Sequence, residues 1–438
     1  MPADSFSFAF VAAIVGSLLV KLWLHTRQMR HVAMHRGAVP AAFAGSVTLA
    51  AHQRAADYTL AKGRLGLLSI TVGSAVLLAW TLLGGLQALN NLLYDTVLPH
   101  TGPMGYQLAL LSAVVLIGSL IDLPFEAYST FRIEQRFGFN RMSWRLWCSD
   151  LLKGTLIGAL IGLPMAALVL WLMGAAGAMW WLWAWLAWVS FNLLLLVIYP
   201  TWIAPLFNKF VPLDDPELKT RVQTLMQRCG FASKGLFKMD GSKRSAHANA
   251  YFTGLGSSKR VVFFDTLLQK LSVGEVEAVL AHELGHFKHK HVLKRMVGIF
   301  ALSLAGLGLL GWLSTQSGFF AGLGVVPNLA APNDALALVL FTLALPPFLF
   351  FVAPVMAHFS RKDEFQADAY ACAQADGRDL AQALLKLHED NAATLTPDPL
   401  YVRFFYSHPP ASERLAALPV PKATAQAAET SLGLAGVG

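Results

Sequence analysis

The chain carries the run His282-Glu283-Leu284-Gly285-His286. On an α-helix, positions i and i+4 stack on one face, so the imidazoles of His282 and His286 can converge on a single metal ion. Glu283 lies about 100° round the helix from the first histidine, beside the ion without being bonded to it, where a general base is needed. Two neutral imidazoles suit zinc, and a zinc ion with an open coordination position lowers the pKa of its bound water to about 7, within reach of a carboxylate. This is the metalloprotease signature HExxH. The chemistry it predicts is peptide hydrolysis, with Glu283 taking the proton of the attacking water and returning it to the leaving amine.

A zinc hydrolase needs a third protein ligand. The metzincin solution fails, because position 289 is His where that motif has Gly and position 292 is Val where it has His. The best remaining source is the run from Ser360 to Asp368. There Glu364 and Asp368 are i and i+4, so one carboxylate can bind metal while the other accepts from an imidazole N–H. Spacing alone does not say which does which. His289 and His291 follow the motif, and a helix continued at 1.5 Å per residue carries them away from the ion, so their expected role is interfacial packing.

The elements that position these groups are legible nearby. Ser272-Val273-Gly274-Glu275 reads as a capping box, and Val276, Val279 and Leu280 supply an apolar stripe at helical spacing. Upstream, residues 212–215 read as a loop and Pro216 to Cys229 as a helix with Leu218, Val222, Leu225 and Met226 on one side, stopped by Gly230. Residues 235–240, 248–254 and 260–265 are short β-leaning runs separated by Gly and Ser turns. A small mixed sheet beside the motif helix offers an edge on which an extended peptide can lie as an added strand.

Most of the rest is written for lipid. Of 438 residues 55% are hydrophobic and only 14% charged, with a mean hydropathy of +0.51. No Lys or Arg occurs in residues 1–20, 65–131, 154–208 or 296–360. A spanning helix needs about 20 apolar residues, so the first gap holds one span and each of the others two. The seven expected spans are 5–25, 65–88, 105–125, 154–174, 177–204, 292–315 and 335–357. By the positive-inside rule the basic loops, the segment after Asn208 and the C-terminus face the cytoplasm and the N-terminus faces out. The first span is expected to be a retained anchor, since its basic residues follow the apolar core. Trp171, Trp180 and Trp181 flank an outer turn as an aromatic belt would. The net charge of +8 is then a matter of membrane orientation and gives no support to a nucleic-acid partner. Asp122 and Glu126, near the end of the third span, are candidates to line an interior cavity. Cys148, Cys229 and Cys372 lack metal spacing and read as free thiols. The Ala-, Gly- and Thr-rich stretch 419–438 reads as a disordered tail.

Beyond the metal motif, several blocks carry a family resemblance. HELGH, SRKDEFQAD at 360–368, Leu123-Pro124-Phe125, and Phe137-Gly138-Phe139-Asn140 resemble the Ste24-type CAAX prenyl proteases of the M48 metallopeptidases, as do Asn249-Ala250-Tyr251 and Ser407-His408-Pro409-Pro410, in the same order. The resemblance implies one zinc ion held by His282, His286 and Glu364, with Glu283 as base and Asp368 supporting a ligand. It also implies that Asn249 and Ala250 lie on the strand that binds the substrate backbone, and that His408 stands near the developing oxyanion. The implied fold is mainly α: seven transmembrane helices forming a barrel around a water-filled chamber, capped by a cytoplasmic α+β zinc metalloprotease domain. In that frame residues 1–207 carry spans one to five, 208–291 the HExxH subdomain, 292–357 spans six and seven, and 358–418 the segment with the third ligand.

The substrate is then a peptide or protein, lipidated or not, and the protein a multi-pass membrane enzyme: of the bacterial inner membrane in a bacterium, of an endomembrane in a eukaryote. Two alternatives stand beside this reading. One is an HtpX-like quality-control protease, which shares the metal motifs but is not expected to carry the LPF-to-GFN block or seven spans. The other is a multi-span transporter or scaffold with a structural zinc, which predicts a closed four-ligand site and gives Glu283 no purpose.

Overall fold

The computed structural model describes residues 2–231, 235–253 and 260–419. Among the described residues six helices are long and apolar enough to cross a bilayer: Ala3–His35, Leu49–Trp80, Leu98–Glu134, Trp144–Ala175, Gly177–Leu206 and His291–Leu313. A seventh crossing is the bent pair Asp334–Leu349 and Ala353–Gln374, whose axes turn by 67° at the break. The expected seventh span was unbroken. Pro346 and Pro347 in its last turns and Pro354 just beyond each remove a backbone donor, so the helical ladder gives way there. The chain boundary expected at 357/358 therefore falls inside a continuous helix. The second span starts at Leu49, well before residue 65, because its hydrogen-bond ladder does not stop where the lipid does. It ends at Trp80, and a turn with Gly84 at φ 81° leads to a separate short helix, Gly85–Thr96. The expected tail from residue 420 onward, and Gly254 at the end of the β-leaning run 248–254, lie outside the described residues.

Burial along the spans is bimodal. Within residues 59–80, 111–132, 148–169, 185–203 and 292–309 no residue is buried. A helix in a solid bundle buries a continuous i, i+3, i+4 stripe, so these helices enclose space. The ring closes at one end through a packed plug built from Phe10 and Ile14 of the first span, Leu110, Leu170, Leu310, and Leu336 and Leu340 of the seventh. Polar groups are paired within it: Asn90 donates to Asn328 Oδ1 at 2.9 Å, and Asn328 donates to Tyr106 Oη at 2.9 Å. Asp122 lines a cavity of about 230 Å³ in this hollow stretch with Gly73, Val76 and Leu343, as expected of it; Glu126 does not reach that cavity.

The other end is closed by a mixed α and β lobe. Its sheet has the order β1-β2-β4-β3, from Phe210–Pro212 (β1), Gly235–Met239 (β2), Ala250–Thr253 (β3) and Arg260–Phe264 (β4). β2 and β4 are parallel, and antiparallel β1 and β3 form the edges. β1 starts before the segment read as a loop and takes Pro212 from it; Pro at a strand end on a sheet edge costs no interior ladder bond. Helix Pro216–Arg228, capped by the Asp215 carboxylate on Leu218 N, packs Leu218, Val222 and Leu225 against Val261, Phe263 and Leu280 in one core. The lobe is tied to the basic-loop side of the spans: Arg244 binds Asp150 at 2.8 Å and Asn208 at 2.8 Å.

Candidate metal centre

The motif helix is Val273–Lys288. Ser272 Oγ accepts from Glu275 N at 3.3 Å and Glu275 Oε2 accepts from Ser272 N at 2.7 Å, the reciprocal capping box expected from the sequence. Lys386 adds an ion pair to Glu275 at 2.7 Å, which fixes the start of the helix to its neighbour Gly377–Asp390.

The third ligand candidate arrives on helix Ala353–Gln374, packed directly on the motif helix. A Cβ built at Gly285 would stand 2.9 Å from Ala367 Cα and 3.1 Å from Ala367 O, both backbone atoms that cannot step aside. Glycine inside the motif is what lets the two helices touch. At that separation one ligand atom each from His282, His286 and Glu364 lie within 4.8 Å of one another. His282 Nε2 is 3.5 Å from Glu364 Oε2, His286 Nε2 is 3.5 Å from Glu364 Oε1, and the two imidazole Nε2 atoms are 3.2 Å apart.

The hydrogen bonds around this cluster leave its inner atoms free for an ion. His282 Nδ1–H donates to Asp368 Oδ1 at 2.8 Å, so its Nε2 lone pair faces inward. His286 Nδ1 meets His291 Nδ1 at 3.0 Å, and His291 Nε2 donates to Gln366 Oε1 at 3.0 Å. The consistent tautomers have His286 donating from Nδ1, which again turns its Nε2 lone pair inward. Glu364 Oε2 is buried and makes no hydrogen bond among the described residues, so it keeps its lone pairs for a ligand. Three inward donors of the His2Glu type, one of them a carboxylate whose Oε2 has no hydrogen bond among the described residues, fit a divalent metal such as zinc.

Charge and burial shape the surrounding groups. Burial pushes the Glu283 carboxyl above its ordinary range, which strengthens it as a proton acceptor. Burial alone would lower His282, but its hydrogen bond to Asp368 and the nearby Glu364 carboxylate outweigh that and raise it to about 9. Burial lowers His286 to about 4. Arg414 grips Asp368 bidentately, Nη2 to Oδ1 at 2.6 Å and Nε to Oδ2 at 2.8 Å, and its Nη1 lies 3.5 Å from Glu364 Oε2.

Of the remaining residues singled out from the sequence, His408 comes to the cluster, with Nε2 3.3 Å from Glu364 Oε1 and a side chain 66% exposed. Asn249 and Ala250 stand at the head of β3, the edge strand. Asn249 O accepts from Phe264 N of β4 at 3.0 Å, while Ala250 N points the other way and is held at 2.8 Å by the Asn249 carboxamide oxygen. Phe252 of β3 meets Phe287 of the motif helix edge-on at 5.1 Å, which sets the strand beside the cluster.

The structure overturns the packing role expected for His291. The motif helix stops at Lys288, Lys290 takes φ 57°, and a new helix begins at His291. The reversal folds His291, 1% exposed, back beneath His286, so the linear rise used to remove it from the site does not apply. Sequence reasoning also missed Arg414, Gln366 and the close-approach role of Gly285. Of these only Gly285 left a signal, as a glycine inside an otherwise strong helix.

A vault of membrane helices closed on one side by a lobe carrying HExxH and a remote carboxylate defines an integral-membrane metallopeptidase. Comparison with known proteins narrows the class. A model of the CAAX prenyl protease N-terminal region, with five membrane helices, matches residues 28–209, and the peptidase family M48 model matches residues 212–421. The chain is 32% identical over 424 residues to a CAAX prenyl protease 1 homolog of Arabidopsis thaliana, spanning 93% of this chain and 97% of the relative. With CAAX prenyl protease 1 of Saccharomyces cerevisiae it shares 37% identity over 345 residues, spanning 74% and 76% of the two chains. The crystal structure of S. mikatae Ste24p matches the fold with a TM-score of 0.88 at 30% identity, covering 95% of this chain and 100% of that one. The chain belongs to the Ste24-type peptidases of family M48. It is a multi-pass membrane metallopeptidase acting on peptides or proteins, and neither the HtpX-like nor the structural-zinc alternative is favoured.

Proposed function

We propose that this protein is a CAAX-type endopeptidase that cleaves near the C-terminus of lipidated peptides, using one zinc ion held by His282, His286 and Glu364. The observation that carries the reading is the convergence of those three side chains beside the half-buried Glu283 carboxylate. Zinc, when bound, supplies Lewis acidity to the scissile carbonyl and to water. Glu283 takes the proton of the attacking water and hands it to the leaving amine. His408 donates to the oxyanion as it forms. Asn249 and Ala250 hold the substrate backbone as an extra strand on β3. Asp368, braced by Arg414, keeps His282 in the tautomer the ion needs.

The relatives' names support a lipidated substrate, and a hollow vault gives a lipid-bearing chain somewhere to go. In this reading 1–207 and 292–357 build the vault, and 208–291 and 358–418 the protease lobe. The lobe lies on the side of the basic loops, which the positive-inside rule assigns to the cytoplasm; the host membrane is an endomembrane in a eukaryote or the inner membrane in a bacterium. No nucleic acid is a partner. The deciding experiment is mass spectrometry of products from purified enzyme given prenylated and unprenylated forms of one CAAX peptide, with Glu283→Gln as control. Preferential cleavage of the prenylated form is expected. Equal cleavage of both would overturn the lipidated-substrate assignment, and activity in the Glu283→Gln control would overturn the mechanism.

A further inference from the structure

The second and third spans meet at their cytoplasmic ends, where Glu134 accepts from Tyr58 at 2.6 Å and from Lys62 at 3.1 Å. Beside this contact they part around a cavity of about 730 Å³, whose wall includes Arg64, Arg132 and Arg136 together with Leu65, Leu68 and Phe125. Phe125 also lines the cavity of about 230 Å³ toward the middle of the spans, whose mostly apolar wall also holds Asp122, so the two spaces form one seam. Among the described residues none of the three arginines makes a hydrogen bond or ion pair; Arg136 only lies over the Phe137 ring at 5.5 Å. The neighbouring carboxylates are engaged elsewhere, Glu134 by Tyr58 and Lys62 and Asp57 by Arg36 at 2.7 Å.

Three guanidiniums around one cavity repel each other, and no carboxylate among the described residues forms a hydrogen bond or ion pair with any of them; Asp57, the acid whose field Arg136 feels, is already held by Arg36. Their level in the membrane follows from the sequence. Arg64 immediately precedes, and Arg132 immediately follows, the stretch 65–131 that contains no basic residue, so both stand where lipid phosphates lie. Guanidinium suits phosphate in particular, through paired N–H donors. A free anion would leave the apolar wall wet, whereas an amphiphile covers both parts of the seam.

We propose that this seam is a binding site for an anionic phospholipid, with its phosphate on Arg64, Arg132 and Arg136 and an acyl chain along Leu65, Leu68 and Phe125. The test is native mass spectrometry of the full-length protein in detergent, titrated with phosphatidylglycerol, phosphatidylcholine or inorganic phosphate. Phosphatidylglycerol should bind wild type and be weakened on the order of 100-fold in the triple variant Arg64→Gln/Arg132→Gln/Arg136→Gln, as expected for three interfacial charges. Phosphatidylcholine should bind both proteins weakly and alike. Unchanged phosphatidylglycerol affinity in the triple variant would overturn the proposal, as would displacement of the lipid by equimolar inorganic phosphate, which would mark a plain anion site. Should the triple variant fail to fold, Gly73→Trp probes the other half of the seam. A Cβ there meets nothing within 4 Å, so the indole can fill the space the chain would occupy. Weakened phosphatidylglycerol binding with an unchanged thermal unfolding midpoint supports the site; unchanged lipid binding overturns it.

Discussion

Two regions of this molecule treat glycine and empty space in opposite ways. At the motif helix, Gly285 is pressed against backbone, and each imidazole ligand candidate is itself held by a further side chain. In the fourth span, Gly154, Gly158 and Gly162 face open space, with nothing within 4 Å of an added Cβ. The difference separates two demands. Placing an ion, a water and a base within fractions of an ångström requires close packing, while a chamber requires walls that refuse to pack. The plug and the lobe supply the cohesion that the hollow middle gives up.

Substitutions at the two regions test the contrast. The largest effect is expected from Glu283→Gln, which should retain metal by elemental analysis while peptide turnover falls by about 10²- to 10⁴-fold. Loss of metal in that variant would contradict its role as a base standing off the ion. His408→Ala should lower kcat by about 10²- to 10³-fold with little change in KM, since its hydrogen bond is made as the oxyanion forms; a change confined to KM would assign it to substrate binding. Asp368→Asn should weaken metal affinity by about 10- to 100-fold in competition with a chelator, because His282 loses its anionic partner. Gly285→Ala should cost about 1–3 kcal/mol in thermal unfolding by forcing the helices apart. Gly158→Ala, chemically the same change in the vault wall, should stay within about 0.5 kcal/mol. Equal costs for those two glycines would erase the distinction between the regions.

Local and periodic features were readable from the chain: the capped motif helix, the β-leaning runs, and the apolar spans from the gaps between Lys and Arg. Their common physical basis is that each is encoded within one helical or strand repeat. The metal cluster was half readable. His282, Glu283 and His286 are fixed by i+1 and i+4 geometry, and Glu364 with Asp368 stood out as a pair, but that they meet across the helix contact at Gly285 is a tertiary fact. Arg414 gave no signal because an arginine in a short helix is ordinary until its partner is known. His291 was misjudged for a sharper reason. A single residue with positive φ at Lys290 ends one helix and starts another, and lysine does not announce such a turn as glycine would.

That turn has a mechanical corollary. No flexible connector separates the motif helix from the sixth span, and only the break at 350–352 separates the seventh span from the helix bearing Glu364. The pair of histidines and the carboxylate are thus mounted on the protruding ends of two rods sunk in lipid. Any sliding or tilting of one rod against the other must be absorbed at Lys290 or at that break, or else appear as a change in the spacing of the three side chains.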